Sequence, residues 1–155
     1  MDLKIGDKAP DFVLFDTNKQ QVKLSDYRGK KVVLLFFPFA FSSVCTAELC
    51  GVRDNFAQYE GLGAQPIGIS VDSLYTLARF RKDEMLTFPL LSDFNKHVSA
   101  SYGVLYDTFN YGMKGVSKRA AFVIDAPGVI RHIEILDDAG QQPNFETIQK
   151  VLSEI

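Results

Sequence analysis

Six consecutive apolar residues, Val32-Val33-Leu34-Leu35-Phe36-Phe37, run straight into Pro38. From Lys31 to Phe37 the segment shows no polar alternation, so neither of its faces suits water. That pattern predicts a strand covered on both faces, inside a sheet with layers on either side. Pro38 has no amide hydrogen to give a ladder and ends the strand. Ser42 or Ser43 can then cap a helix running to about Glu60, stopped by Gly61 and Gly63. The chain's only two cysteines, Cys45 and Cys50, fall on that helix.

The flanking segments fill in the fold. Phe12–Phe15 and Gln21–Leu24 flank a polar turn and read as a β-hairpin. Ser25–Gly29 can form one helical turn closed by glycine. Pro66–Val71 reads as a second buried strand, Ser73–Glu84 as a helix, Phe88–Asp93 as extended, and Lys96–Tyr102 as a shorter helix. Leu105–Lys118 reads as a long loop. Arg119–Asp125 and Val129–Ile135 form a hairpin around Ala126-Pro127-Gly128. Phe145–Glu154 carries apolar residues at helical spacing. Strand–helix alternation followed by an antiparallel pair predicts an α/β fold: a mixed central sheet flanked by helices, with an N-terminal β-hairpin.

At 155 residues, one domain over 1–155 is expected. The composition, 46% hydrophobic and 23% charged, is that of a soluble globular chain. A net charge of -2 without a basic run argues against nucleic acid as a partner. The longest apolar stretch, Val32–Phe41, is broken by Pro38 and is about half the length of a membrane span, so no membrane partner is expected. Met1–Asp7 lacks the basic and apolar regions of a secretory signal, which favours a cytoplasmic location. In a reducing compartment, two cysteines point to catalysis or redox chemistry before a permanent staple.

A helix starting at Ser42 or Ser43 puts Cys45 in its first turn. Free amides and the positive end of the helix dipole favour an anion there, and the thiolate is the reactive form of cysteine. The same amides can hold the oxygens of an oxidant. Ser42 can donate to the sulfur, and Pro38 can cover one side of it. No cation lies nearby in sequence. Arg119, at the start of a strand, is a candidate, as are Arg28 and Arg53. On an intact helix, residues five apart have Cα atoms roughly 8–9 Å from each other, beyond the ~7 Å a disulfide tolerates. A Cys45–Cys50 bond therefore demands unwinding. Alternatively, Cys50 is simply a small buried hydrophobe. His97 and His132 are isolated from the cysteines in sequence, so neither a metal nor a cofactor is expected.

Pro38-x3-Ser42-x2-Cys45, with Arg119 opening a strand, resembles the signature of the peroxiredoxin family. The resemblance extends from Gly6-Asp7-Lys8-Ala9-Pro10-Asp11-Phe12 to the last helix. Cys45-Thr46-Ala47-Glu48-Leu49-Cys50-Gly51-Val52-Arg53-Asp54 is similar to the peroxiredoxin Q (bacterioferritin comigratory protein) branch, where a cysteine five residues on resolves the first. Phe36–Phe41 and Phe88–Phe94 are more like the alkyl hydroperoxidase E branch, often one-cysteine enzymes. Ser42 stands where threonine is commoner.

The resemblance implies a thioredoxin-like fold and a thiol-dependent peroxidase acting on hydrogen peroxide and organic hydroperoxides. Cys45 would become a sulfenic acid. Ser42, Arg119 and the amides of Val44 and Cys45 would hold the peroxide oxygens, Pro38 would shield the sulfur, and Glu48 would orient an arginine. Cys50 would resolve the sulfenic acid or stay structural. A thioredoxin- or glutaredoxin-type protein, or a low-molecular-weight thiol, would be the reductant, and a homodimer through the edge near the active site is favoured. Two other functions fit fewer residues. A thiol–disulfide oxidoreductase lacks its Cys-x-x-Cys, and a peroxide sensor or holdase would share the sulfenic acid but turn over slowly.

Overall fold

The computed structural model describes residues 2–155. Its strands and helices are β1 (Val13–Asp16), β2 (Gln21–Lys23), β3 (Lys31–Phe36), α1 (Ser43–Asp54), α2 (Phe56–Gly61), β4 (Ala64–Ser70), α3 (Leu74–Asp83), β5 (Leu90–Ser92), α4 (His97–Ser101), β6 (Arg119–Ile124), β7 (Ile130–Leu136) and α5 (Phe145–Glu154). Short 3-10 turns lie at Leu24–Tyr27 and Asn110–Gly112. The seven strands form one sheet in the order β2-β1-β5-β4-β3-β6-β7. β3, β4 and β5 run parallel, while β1, β2, β6 and β7 join antiparallel to their neighbours. This is an α/β sheet of the thioredoxin-like kind.

The apolar run becomes β3 because both of its faces are covered. Val33, Leu35 and Phe37 enter one core with Leu49 and Val52 of α1, Tyr59 of α2, Leu77 and Phe80 of α3, and Ile148 and Leu152 of α5. Val32, Leu34 and Phe36 enter the other, with Leu24, Val98 and Tyr102. Each such side chain taken from water contributes about 1.5–3 kcal/mol.

One element differs from the sequence reading and two gain detail. The helix expected to reach Glu60 breaks at Asn55 into α1 and α2. The Asn55 side chain donates to the Gly51 carbonyl at 3.0 Å, offering that carbonyl a partner outside the regular ladder. The expected N-terminal hairpin forms, and β1 also pairs with β5 to extend the central sheet. The long loop folds back on itself through a Leu105–Ser117 bridge and a Phe109 amide bond to Met113. No helix among the described residues is long and apolar enough to cross a membrane.

Two strand registers carry Arg119 to the end of β3. β6 lies antiparallel to β3 with Phe36 opposite Ala120, so Arg119 arrives where the chain turns toward α1. β6 pairs with β7 with Arg119 opposite Leu136, which places the turn after β7 next to the same arginine.

Candidate active site

Cys45 lies in the first turn of α1 and is 1% exposed. The loop leading to it is held from both sides. The Asp72 carboxylate, at the end of β4, accepts the Ala40 amide at 2.8 Å and the Ser70 hydroxyl at 2.7 Å. Phe41 packs edge-on against Phe80 at 5.1 Å. Phe41 takes φ 68°, a left-handed conformation that is uncommon for a bulky side chain and costs about 1–3 kcal/mol. The reversal from Pro38 into the helix is thus imposed by its neighbours.

The start of α1 differs from the starts of the other long helices. Ser73 caps α3 by accepting the Thr76 amide, and Asn144 caps α5 by accepting the Thr147 amide. Ser42, the N-cap of α1, makes no side-chain cap bond. Nor does its hydroxyl reach the sulfur as the sequence reading expected. It donates instead to the Phe39 carbonyl at 2.8 Å, which closes the 39–42 turn. A missing cap costs the helix about 1 kcal/mol and leaves first-turn amides for another acceptor.

The cation comes from β6. Arg119, 1% exposed, donates through Nη2 to Cys45 Sγ at 3.3 Å and through Nη1 to Glu48 Oε1 at 2.7 Å. Its Nε and Nη2 both reach the carbonyl of Ala139, at 3.3 and 2.8 Å. The other two candidate arginines are elsewhere. Arg53 pairs with Asp54 and donates to the Glu84 carbonyl, and Arg28 lies at the Gly128 turn. Neither belongs to the cysteine site.

One cation therefore serves two acidic groups in a buried place. Burial pushes the Glu48 carboxyl up to about 7, against the pull of Arg119, and the nearby Glu134 adds to the rise. Its Oε2 is buried without a partner. Burial alone would weaken the charge on Arg119, but Cys45 and Glu48 together hold its pKa above the ordinary value. Fully desolvated groups of this kind interact far more strongly than surface pairs.

A cavity of about 190 Å³ opens onto this group, lined by Pro38, Phe39, Ser42, Val44, Phe109 and Arg119 among others. A larger apolar cavity of about 450 Å³, lined by Val13, Phe15, Leu74 and Tyr75 with their neighbours, touches neither cysteine. The chemistry of the smaller one decides between them.

Cys50 sits on the same helix in a different setting. Its thiol donates to Glu84 Oε2 at 3.3 Å. Burial and that carboxylate raise its pKa, so it is held as a neutral thiol. Both cysteines are free.

A buried thiol at an uncapped helix start, with a guanidinium on its sulfur, fits one group of known proteins. The AhpC/TSA family profile matches residues 5–133. The chain is a peroxiredoxin. Peroxiredoxin Bcp of Escherichia coli is 37% identical over 154 residues, 98% of this chain and 97% of that one. The crystal structure of the peroxidoxin BcpB from Mycobacterium tuberculosis superposes with a TM-score of 0.87 at 30% identity, covering 99% of this chain and 98% of that one. The reduced 2-Cys peroxiredoxin of Plasmodium vivax gives 0.83 at 27% identity, covering 96% and 79%. The enzyme is accordingly a thiol-dependent peroxidase. Sequence reasoning missed three of this peroxiredoxin's site contacts. The Ala139 carbonyl and the Asp72 carboxylate are set by strand register, and Phe109 is brought in by the folded loop; none carries a sequence motif.

Proposed function

We propose that this peroxiredoxin reduces hydroperoxides through Cys45 and resolves the product with Cys50. The Arg119 guanidinium, 3.3 Å from the sulfur, carries the reading. It favours the thiolate, and it is already in place to meet charge developing on a departing oxygen. The cavity's volume of about 190 Å³ is several times the ~30 Å³ share of a water, so it has room for hydrogen peroxide and for a hydroperoxide with a small organic group.

The thiolate attacks the terminal oxygen of RO–OH. An S–O bond forms, the O–O bond breaks, and sulfur loses two electrons to the leaving RO⁻, which takes a proton to become ROH. Ser42 Oγ, already donating to Phe39, has lone pairs left to accept the peroxide's O–H. Arg119 and the amides of Val44 and Cys45 would hold the oxygens, Pro38 would screen the sulfur, and Glu48 would anchor one nitrogen of the guanidinium.

Sulfenic acid formation removes the anion that Arg119 held and so loosens the first turn. Ser43-Val44-Cys45-Thr46 are weak helix formers, and Gly51 weakens the middle of α1. Leu49 is fully buried and pins the part of the helix that carries Cys50. Cys45 is therefore the partner that travels. Cys50–SH then displaces water from Cys45–SOH to form the disulfide, which a thioredoxin- or glutaredoxin-type dithiol or a low-molecular-weight thiol reduces back to two thiols.

Intact-mass spectrometry after one equivalent of peroxide tests this. The expected result is loss of two hydrogens in the parent, gain of one oxygen in Cys50→Ser, and no change in Cys45→Ser. A parent that gains one stable oxygen would make Cys50 structural. Substantial peroxide turnover by Cys45→Ser would remove Cys45 from the mechanism.

A further inference from the structure

Of the guanidinium's three nitrogens, two are committed to a single backbone atom. Nε and Nη2 of Arg119 both point at the carbonyl oxygen of Ala139, and only Nη1 reaches Glu48. Glu48 alone would leave Arg119 free to pivot about one contact. The Ala139 carbonyl fixes the edge of the fork that carries Nη2, the nitrogen on Cys45 Sγ. The thiolate's partner is thus set by the turn connecting β7 to α5.

Asp137, Asp138, Gly140 and Gln141 of that turn are exposed, Ala139 is half-buried, and local bonds close it. The Asp138 carboxylate accepts the Gly140 amide at 2.8 Å, and the Gln141 amide returns to the Asp138 carbonyl at 3.1 Å. Ala139 lies inside this closure. One residue earlier, the turn is tied down where Tyr106 donates to the Asp137 carbonyl at 3.0 Å and Lys118 pairs with the Asp137 carboxylate at 3.1 Å. The only side-chain acceptor closing the turn around Ala139, among the described residues, is Asp138.

We propose that Asp138 is a positioning residue for the peroxidase reaction: its bond to Gly140 fixes the Ala139 carbonyl, which fixes Arg119 on Cys45. The inference rests on Cys45 being the attacking thiol. Asp138 touches neither sulfur nor peroxide and acts only through the carbonyl and the guanidinium. Removing its carboxylate also removes a negative charge, which by itself favours the thiolate. The bond must therefore be tested at constant charge, by comparing Asp138→Ala with Asp138→Asn. Both are neutral, but asparagine keeps an oxygen that can accept the Gly140 amide.

The experiment is carried out in the full chain with Cys50→Ser, so that one thiol is observed. Ultraviolet absorbance against pH gives the midpoint of thiolate formation, and stopped-flow mixing with hydrogen peroxide gives the rate of attack. Relative to Asp138→Asn, Asp138→Ala is expected to titrate at higher pH. It is also expected to react roughly three- to fivefold more slowly at a fixed pH near the midpoint, the scale of one neutral hydrogen bond. Gly140→Ala disturbs the same closure from the other side, since its Cβ would lie 3.1 Å from Asp138 Oδ1, and should move the midpoint in the same direction. Equal midpoints and rates in the Ala and Asn variants overturn the proposal. So does a lower melting temperature in Asp138→Ala with an unmoved midpoint. A Cys50→Ser parent that does not react with peroxide would instead defeat the reading of Cys45, a separate outcome in the same assay.

Discussion

Cys45 and Cys50 share a helix, and each sulfur has a charged partner at 3.3 Å. For Cys45 the partner is the guanidinium of Arg119, and for Cys50 it is the carboxylate of Glu84. The helix contributes too, because Cys45 lies in its uncapped first turn and Cys50 near its middle. One residue type is thereby placed in two settings, a sulfur facing a cation and a thiol kept neutral by burial and a carboxylate. The difference suits the two-thiol cycle proposed above. A resolving thiol that ionised in the reduced enzyme would compete for peroxide outside the cavity that directs the reaction.

Removing the guanidinium breaks the comparison at its strongest point. Arg119→Met should slow attack on peroxide by about a hundredfold or more, the scale seen when one preorganised donor is taken from a developing oxyanion. It should also shift thiolate formation to higher pH. Arg119→Lys keeps the charge but cannot reach Cys45, Glu48 and Ala139 at once, and should recover only part of the loss. Stopped-flow oxidation and thiolate absorbance measure both variants. Rates within threefold of the parent for Arg119→Met would mean that the helix terminus alone activates Cys45.

The second test concerns the cation's other client. The Glu48 carboxyl is raised to about 7 in the folded protein, against an ordinary value of 4.5. Between those values the folded state binds more protons than the unfolded state. Stability therefore falls as pH rises across that window. The contribution is fully present below about 4.5 and lost as pH passes about 7, and is on the order of 3 kcal/mol. Glu48→Gln removes the titrating group. Its denaturation midpoint should depend less on pH between 5 and 8 than the parent's. Parallel curves for the two proteins would show that Glu48 stays ionised throughout, with Arg119 balancing both anions.

How much of the molecule was legible in the sequence depends on what sets each feature. The strand ending at Pro38, the helix carrying both cysteines and the final helix were readable, because apolar runs and helical spacing reflect local burial. Arg119 could be named as a candidate cation but not chosen over Arg53 by spacing alone. Its place beside Cys45 depends on the pairing of Phe36 with Ala120, and register is a property of the sheet. The Ala139 carbonyl was invisible, since every residue offers the same backbone atom. Ser42 was one of two serines read as a cap; it stands at the N-cap position, yet its hydroxyl chose the Phe39 carbonyl. That choice belongs to the reversal at Phe41, which is imposed by Asp72 and Phe80 from elsewhere in the chain. The break at Asn55 has the same character: an asparagine side chain competing for a carbonyl overrides a helical pattern that continues on both sides.

The smallest effect is expected on the other thiol, and it sharpens the comparison most directly. Burial and the Glu84 carboxylate both hold the Cys50 pKa up. Glu84→Gln keeps an oxygen to accept the thiol's hydrogen but removes the charge, leaving burial as the remaining cause. The partner is a single carboxylate at a partly exposed site, worth roughly 0.2–1 kcal/mol. Alkylation of Cys50 by iodoacetamide, measured with Cys45→Ser in the background, should then speed up by about two- to fivefold at pH 8. Arg53 keeps its hold on the Glu84 backbone carbonyl, so the end of α3 stays in place. With Cys45 present, disulfide closure should accelerate by a similar factor if Cys50 ionisation limits it, and stay unchanged if helix unwinding does. An alkylation rate identical to the parent's would show that burial alone keeps Cys50 neutral. The contrast between the two cysteines would then be one of charge at Cys45 and of solvent at Cys50.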